Sequence, residues 1–160
     1  MRLLSLLLLL PVVLVLSACA KKIDDAKAEK FISTTVAKQV GAKVKSVKCP
    51  SDLTAKKGAT FNCTVTGADG SSGITKVTER DDQGNVRVSA PFIDGRELED
   101  SIGAGITRQV GSTVTVSCPE IIVTKKGDTF DCSATSGSDK ASVAVTQTDD
   151  QGHVRYELQR

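Results

Sequence analysis

Cys49-Pro50 returns as Cys118-Pro119, and much of the surrounding sequence returns with it. Lys56-Lys57-Gly58-Ala59-Thr60-Phe61-Asn62-Cys63 is answered by Lys125-Lys126-Gly127-Asp128-Thr129-Phe130-Asp131-Cys132. Asp81-Asp82-Gln83-Gly84-Asn85-Val86-Arg87 is answered by Asp149-Asp150-Gln151-Gly152-His153-Val154-Arg155, and Gln39-Val40-Gly41 by Gln109-Val110-Gly111. The offset stays between 68 and 70 residues, so the chain is one unit written twice. Self-similarity at a fixed period means that each copy is one supersecondary unit. A unit of this size buries only about 60% of its unfolded surface and is marginal by itself. Aromatic residues do little to help, with four Phe, one Tyr and no Trp in the whole chain.

Each copy opens with a helix pattern. Asp24 and Asp94 stand at N-cap positions, and Glu97 three residues after Asp94 makes a capping-box-like signature. Ala28, Ile32, Val36 and Val40 form a four-residue stripe, matched by Leu98, Ile102, Ile106 and Val110, all expected on the core face. Gly41 and Gly111 occupy the position where a helix ends in a left-handed residue. Strand-like alternation follows. Val47 and Cys49, then Phe61, Cys63 and Val65, share one face, as do Val116 and Cys118, then Phe130, Cys132 and Ala134. Val143 and Val145, then Val154, Tyr156 and Leu158, continue the alternation. Lys-Lys-Gly and Asp-Asp-Gln-Gly read as hairpin turns with glycine at positive φ. The expected fold class is α+β: two tandem repeats, each one N-terminal helix packed on a three- to four-stranded antiparallel sheet with one internal disulfide.

The ends and the cysteines give an address. Met1-Arg2 precedes an uncharged run, Leu3 to Ala18, that is apolar except for Ser5 and Ser17. The run is short for a transmembrane helix and suits the apolar region of a signal peptide. It closes on Leu16-Ser17-Ala18-Cys19, which resembles the bacterial lipobox, in which the cysteine thiol is diacylated and becomes the new N-terminus. Four cysteines remain, as two C-x13-C pairs, and export would put them in an oxidising compartment. Four cysteines allow three connectivities. The repeat favours Cys49 with Cys63 and Cys118 with Cys132. A zinc site made from all four would normally show closer pairs or histidines. The expected layout is a signal peptide over 1–18, lipidated Cys19 and a tether over 19–23, repeat 1 over 24–90 and repeat 2 over 91–160.

Cys-Pro, Lys-x-Gly-x-x-Phe-x-Cys, a Val-Thr strand and an Asp-x-x-Gly-x-Val turn together resemble domain of unknown function 4333, once per repeat. That resemblance implies the lineage of an actinobacterial envelope lipoprotein and carries no activity, substrate or site residues. In outline alone the architecture is similar to secreted β-lactamase inhibitor proteins, and outline does not carry function.

Catalytic chemistry needs groups of suitable pKa in mutual reach. The one histidine, His153, takes the slot of Asn85 just after a turn glycine, which points to a solvated turn residue. Gly103-Ala104-Gly105 falls inside the second helix, where small residues permit close packing. Asp81-Asp82 and Asp149-Asp150 lack the further oxygen donors that calcium takes, whereas Asp favours tight turns through its own backbone. No catalytic residue, metal ligand or cofactor is therefore assigned.

Charge separates the two copies. Residues 20–90 carry 13 Lys/Arg against 8 Asp/Glu, and residues 91–160 carry 7 against 11. Lys21, Lys22, Lys27, Lys30, Lys38, Lys43, Lys45 and Lys48 follow directly on Cys19 as a candidate membrane-surface basic patch. Nucleic acid is not an expected partner, because the basic stretch lacks interleaved aromatics and the chain is read as exported. The expectation is a lipid-anchored protein on the extracytoplasmic face of the cell membrane. It would act as a non-catalytic interaction module toward an anionic lipid, a cell-wall polymer or an envelope protein. An inhibitor of a secreted enzyme and a wall hydrolase with an unassigned carboxylate site are the alternatives.

Overall fold

The computed structural model describes residues 21–89 and 91–159. The expected signal segment and Cys19 lie outside the described residues.

Each repeat is a helix followed by a four-stranded antiparallel meander. Repeat 1 consists of α1 (Asp25–Val40), β1 (Val44–Lys48), β2 (Thr60–Gly67), β3 (Ser72–Glu79) and β4 (Val86–Val88), with sheet order β1-β2-β3-β4. Repeat 2 consists of α2 (Gly95–Val110), β5 (Thr115–Ser117), β6 (Thr129–Ser136), β7 (Asp139–Gln147) and β8 (Val154–Gln159), in the same order. The local signals act as their chemistry dictates. The Asp24 carboxylate accepts from the Lys27 amide, and that of Asp94 from the Arg96 and Glu97 amides. Gly41 and Gly111 end the helices at φ 64° and 76°, a conformation that costs a residue with a Cβ.

Both disulfides form as the repeat implies, Cys49–Cys63 and Cys118–Cys132. Cys63 and Cys132 are buried in mid-strand, on the face that packs against the helix. A contact from the helix holds the other half-cystine in each copy. Glu29 accepts the Cys49 amide at 3.0 Å, and Glu99 accepts the Cys118 amide at 2.8 Å.

The Lys-Lys-Gly segments are not hairpin turns. Gly58 and Gly127 do have positive φ, but they turn the long connection that follows the first half-cystine into β2 and β6. That connection is pinned to β3 or β7. The Gly58 amide donates to the Glu79 carbonyl and the Gly127 amide to the Gln147 carbonyl, both at 2.9 Å. The Glu79 and Gln147 side chains, both buried, take the Lys56 and Lys125 amides. Gln147 also donates Nε2–H to the Val123 carbonyl at 3.0 Å, a bond that an ionised carboxylate cannot make.

Registers align the two cores. Cys63 faces Thr75 across β2 and β3, and Cys132 faces Val143 across β6 and β7. Thr75 and Val143 thus hold the same slot and both are fully buried, but the Thr75 hydroxyl finds no hydrogen-bond partner among the described residues. Thr75→Val should raise the stability of repeat 1 by about 1 kcal/mol, since the shape is kept and an unpaired buried hydroxyl is removed. A lower denaturation midpoint for the variant would show that the hydroxyl is used.

Gly105 on α2 lies under the Tyr156 ring of β8, where a Cβ would collide with the hydroxyl end. Gly103 comes close to the Val114 carbonyl. These glycines let the second helix approach its sheet closely, as their place in the sequence suggested.

Candidate functional site

The two repeats are joined by a docked interface in which repeat 2 completes the core of repeat 1. Phe92 and Ile121 are buried in the same apolar cluster as Val40, Val65 and Val77. Ile121 and Val123 lie against Gly73 so closely that a Cβ there would strike the Val123 side chain, whereas the same strand position in repeat 2 is Ala141. Polar bonds clasp the seam. The Glu120 carboxylate accepts the Ala68 amide at 2.6 Å and the Asp69 amide at 3.2 Å. In return Asp69 accepts the Glu120 amide at 3.0 Å, and the Ser71 hydroxyl oxygen accepts the Ile121 amide at 3.0 Å. The turn between β2 and β3, Ala68 to Ser71, is shaped for this purpose. The matching turn in repeat 2 holds only Gly137 and Ser138 between its paired strand ends.

This interface explains a departure from the expected helix stripe. Val40 is 1% exposed, but Val110, its counterpart, is 51% exposed. The end of repeat 1 is plugged by repeat 2, and nothing among the described residues plugs the corresponding end of repeat 2. An open groove of about 240 Å³ remains there, with Ile106, Val110, Val114, Ala134, Ala141 and Leu158 as its apolar lining and a polar side that includes Asp139 and Lys140. Leu158 is 41% exposed beside it. The sequence pattern of α2 alone could not reveal this, because Val40 and Val110 occupy identical places in their helices.

A second feature lies at the opposite end of repeat 1. A cleft of about 570 Å³ opens between the first turns of α1 and the turn joining β3 to β4. Lys21, Lys22, Lys27 and Arg80 supply its cations. Lys21 donates to the Gln83 side chain at 3.1 Å, and Lys22 pairs with Asp52 at 2.5 Å. The hydrogen bond and charge of Asp52 raise the Lys22 pKa, and those of Lys22 lower that of Asp52. Lys27 and Arg80 have no ion-pair partner among the described residues. Phe31, 49% exposed, stands on the rim.

The eight lysines of the candidate patch are all exposed but are not gathered together. Lys21, Lys22 and Lys27 belong to the cleft, and Lys30 lies one turn further along α1. Lys38 and Lys43 sit at the other end of a 16-residue helix, about 24 Å long. Lys45 and Lys48 are on β1, and Lys48 lies 3.8 Å from Glu29. Arg80, which completes the cleft, is 58 residues from Lys22 and has no local signal that ties it to the lysines.

The paired aspartates serve the turns. Asp81 Oδ1 accepts the Gln83 and Asn85 amides, and its Oδ2 accepts from the Asn85 side chain at 2.8 Å. Asp149 repeats this with the Gln151 and His153 amides and the His153 ring at 2.5 Å. The second carboxylate of each pair reaches the neighbouring connection, Asp82 to the Lys57 amide and Asp150 to the Lys126 amide. His153 is therefore a turn residue, bonded to Asp149 as Asn85 is to Asp81. No cluster of three or more metal-ligating side chains occurs among the described residues.

Hydrogen bonds pull several of these carboxyls below the usual range. Asp81 is lowered chiefly by the Asn85 side chain, and Asp149 by His153. At Asp69 burial works the other way, but the Ser71 hydroxyl and the Glu120 and Ser71 amides outweigh it and the pKa is lowered. A depressed carboxylate contributes its stability above the unfolded pKa and loses it as pH falls through the folded value. Denaturation midpoints should therefore be flat between about pH 7 and 5 and fall below about pH 4. Asp69→Asn should flatten part of that acid slope, and an unchanged slope would show that the clasp does not titrate with folding.

A family model described as Domain of unknown function (DUF4333) matches residues 8–84 and again residues 86–152. No solved structure matches the chain. The two matches cover most of the sequence, and each contains one helix, most of one meander and one disulfide. The chain accordingly belongs to the DUF4333 family, whose domain it carries as two tandem copies.

Proposed function

We propose that this chain is a lipoprotein held at the extracytoplasmic face of the cell membrane by a diacylglyceryl group on Cys19. Its two repeats form a non-catalytic binding module that docks an extended apolar segment of an envelope protein. The anchoring half of this reading rests on the Leu16-Ser17-Ala18-Cys19 quartet and the apolar run before it. Two disulfides suit an oxidising compartment.

The observation that carries the binding half is the difference between the two groove ends. In repeat 1 the groove takes the Ile121-x-Val123 segment, with a clasp of backbone and carboxylate bonds around it. The same groove in repeat 2 is open, and its exposed apolar residues are grouped at the end farthest from repeat 1. A segment with two apolar side chains at i and i+2 is the chemistry that such a groove already accepts within this chain. A second copy of the chain would offer Asp52 and Thr54 at the equivalent positions, which do not suit an apolar groove. The non-catalytic reading is supported by the aspartate pairs and His153, which are engaged in turns.

Two measurements test the halves separately. Intact mass of the protein from its native membrane should show a diacylglyceryl adduct on Cys19, and an unmodified cysteine would defeat the anchor. A photo-crosslinker at Val110 should give one dominant protein adduct in the native envelope, lost on substitution of the exposed groove residue, Leu158→Asp. Diffuse labelling, or a partner unaffected by Leu158→Asp, would defeat the groove as a docking site.

A further inference from the structure

The basic cleft of repeat 1 has a counterpart in repeat 2 with the same scaffold and none of the cations. Asp24 and Asp94 cap their helices alike, Asp81 and Asp149 close their turns alike, and Gln83-Gly84 recurs as Gln151-Gly152. At the positions of Lys21, Lys22, Lys27 and Arg80, repeat 2 has Pro91, Phe92, Glu97 and Thr148. The backbone at the first of these is unchanged in role. The Lys21 carbonyl accepts the Ala55 amide at 2.7 Å, and the Pro91 carbonyl accepts the Thr124 amide at 3.1 Å. Folding of this unit thus requires none of the four cations, since repeat 2 builds the same elements without them. Phe31, the exposed ring on the rim, is likewise replaced by Ser101.

We propose that this cleft binds the phosphodiester headgroup of an anionic phospholipid, in the leaflet that holds Cys19. The inference rests on the lipoprotein reading above and names a ligand for the membrane-facing end. Lys21 follows Cys19 by two residues, a reach of at most about 7 Å, so an acylated Cys19 brings the cleft to headgroup level. Lysine ammonium and arginine guanidinium groups are suited to phosphate oxygens, the latter in bidentate fashion. The wall also holds the Asp24 and Asp81 carboxylates, bonded to the Lys27 amide and to the amides of the turn, and the four cations outnumber them two to one. A partly exposed phenyl ring beside a cluster of cations fits the boundary between headgroups and acyl chains.

The test uses a chain beginning at Ala20, which keeps both cores and both disulfides and carries no acyl group of its own. It should bind vesicles of phosphatidylglycerol and not of phosphatidylcholine. Lys27→Glu with Arg80→Thr installs the residues of repeat 2, and thermal melting checks that the fold is kept. This pair changes the charge by three units and, at about fivefold per unit near an anionic surface, should weaken vesicle binding by a factor on the order of 100. Lys38→Glu with Lys43→Thr makes the same charge change at the far end of α1 and should weaken binding far less. Equal loss in both pairs would mean diffuse attraction and overturn the cleft, as would the absence of binding to phosphatidylglycerol. Protection of the cleft amides by millimolar inorganic phosphate to the same degree as by vesicles would identify a free anion as the ligand and overturn the lipid assignment. The vesicle result is independent of the Cys19 mass, so failure of the cleft and failure of the anchor are told apart.

Discussion

A Cys118→Ser/Cys132→Ser chain is expected to lose repeat 2 at growth temperature, and with it the Phe92 and Ile121 side chains that complete the core of repeat 1. The bridge closes a sequence separation of 14 residues. In the chain-entropy model a closed loop of that size contributes about 3 kcal/mol. A small domain has little stability beyond that. Cys132 is buried beside Ala134 and Val143 under α2, so the substitution also places a hydroxyl in the core. After reduction, the connection between β5 and β6 would be held by the Glu99 bond to residue 118, the Gln147 bonds and the bridge from Phe92 to Val123. The neutral bonds are each worth about 1 kcal/mol and the one to the Glu99 side chain about 1.5–3 kcal/mol. Amide exchange resolved by residue would report the loss, with protection at Val143 and Val145 falling toward that of an unfolded chain. An unchanged melting curve would mean that the helix-on-sheet packing is sufficient without the disulfide.

The second large effect belongs to Ile121, a residue of repeat 2 that acts in repeat 1. Ile121→Ala should destabilise repeat 1 by about 2–5 kcal/mol, the range for truncating a buried aliphatic side chain. Its side chain is 4% exposed and lies in the cluster of Ile32, Val36, Val40 and Val65. Ile121→Asp, which installs the residue that repeat 1 itself has at this position, should go further and release the two repeats from one another. The diagnostic is where protection is lost. Amides of β2 and α1 should exchange faster while those of β6 and β7 keep their protection. Loss confined to repeat 2 would show that Ile121 serves its own repeat and does not plug its neighbour.

Much of each unit was legible because the signals are local. An N-cap aspartate, a four-residue apolar stripe and a terminal glycine specify a helix within one segment, and α1 and α2 begin and end at those marks. Alternation located the strands for the same reason, and duplication reduced three cysteine connectivities to the observed one. The Lys-Lys-Gly segments differ from the expected hairpin turns because a glycine at positive φ marks a turn without saying what the turn connects. The contacts made by Glu29 and Glu99 have no sequence signal, since a glutamate on a helix has no pattern that points to an amide 19 or 20 residues away.

By itself the sequence determined that there are two copies of one unit, the class of that unit, its helix boundaries and its disulfide pairs. Local backbone preferences and short-range periodicity act within a few residues, so they can be read in order along the chain. Only the tertiary structure decided which surfaces are covered. Val40 and Val110 carry the same local information, yet one lies in a core and the other faces solvent, because burial depends on what a distant segment brings to the site. The same holds for the cations. Lys21, Lys22 and Lys27 meet Arg80 in one cleft while Lys38 and Lys43 lie at the far end of the helix, a separation set by helix geometry and strand return.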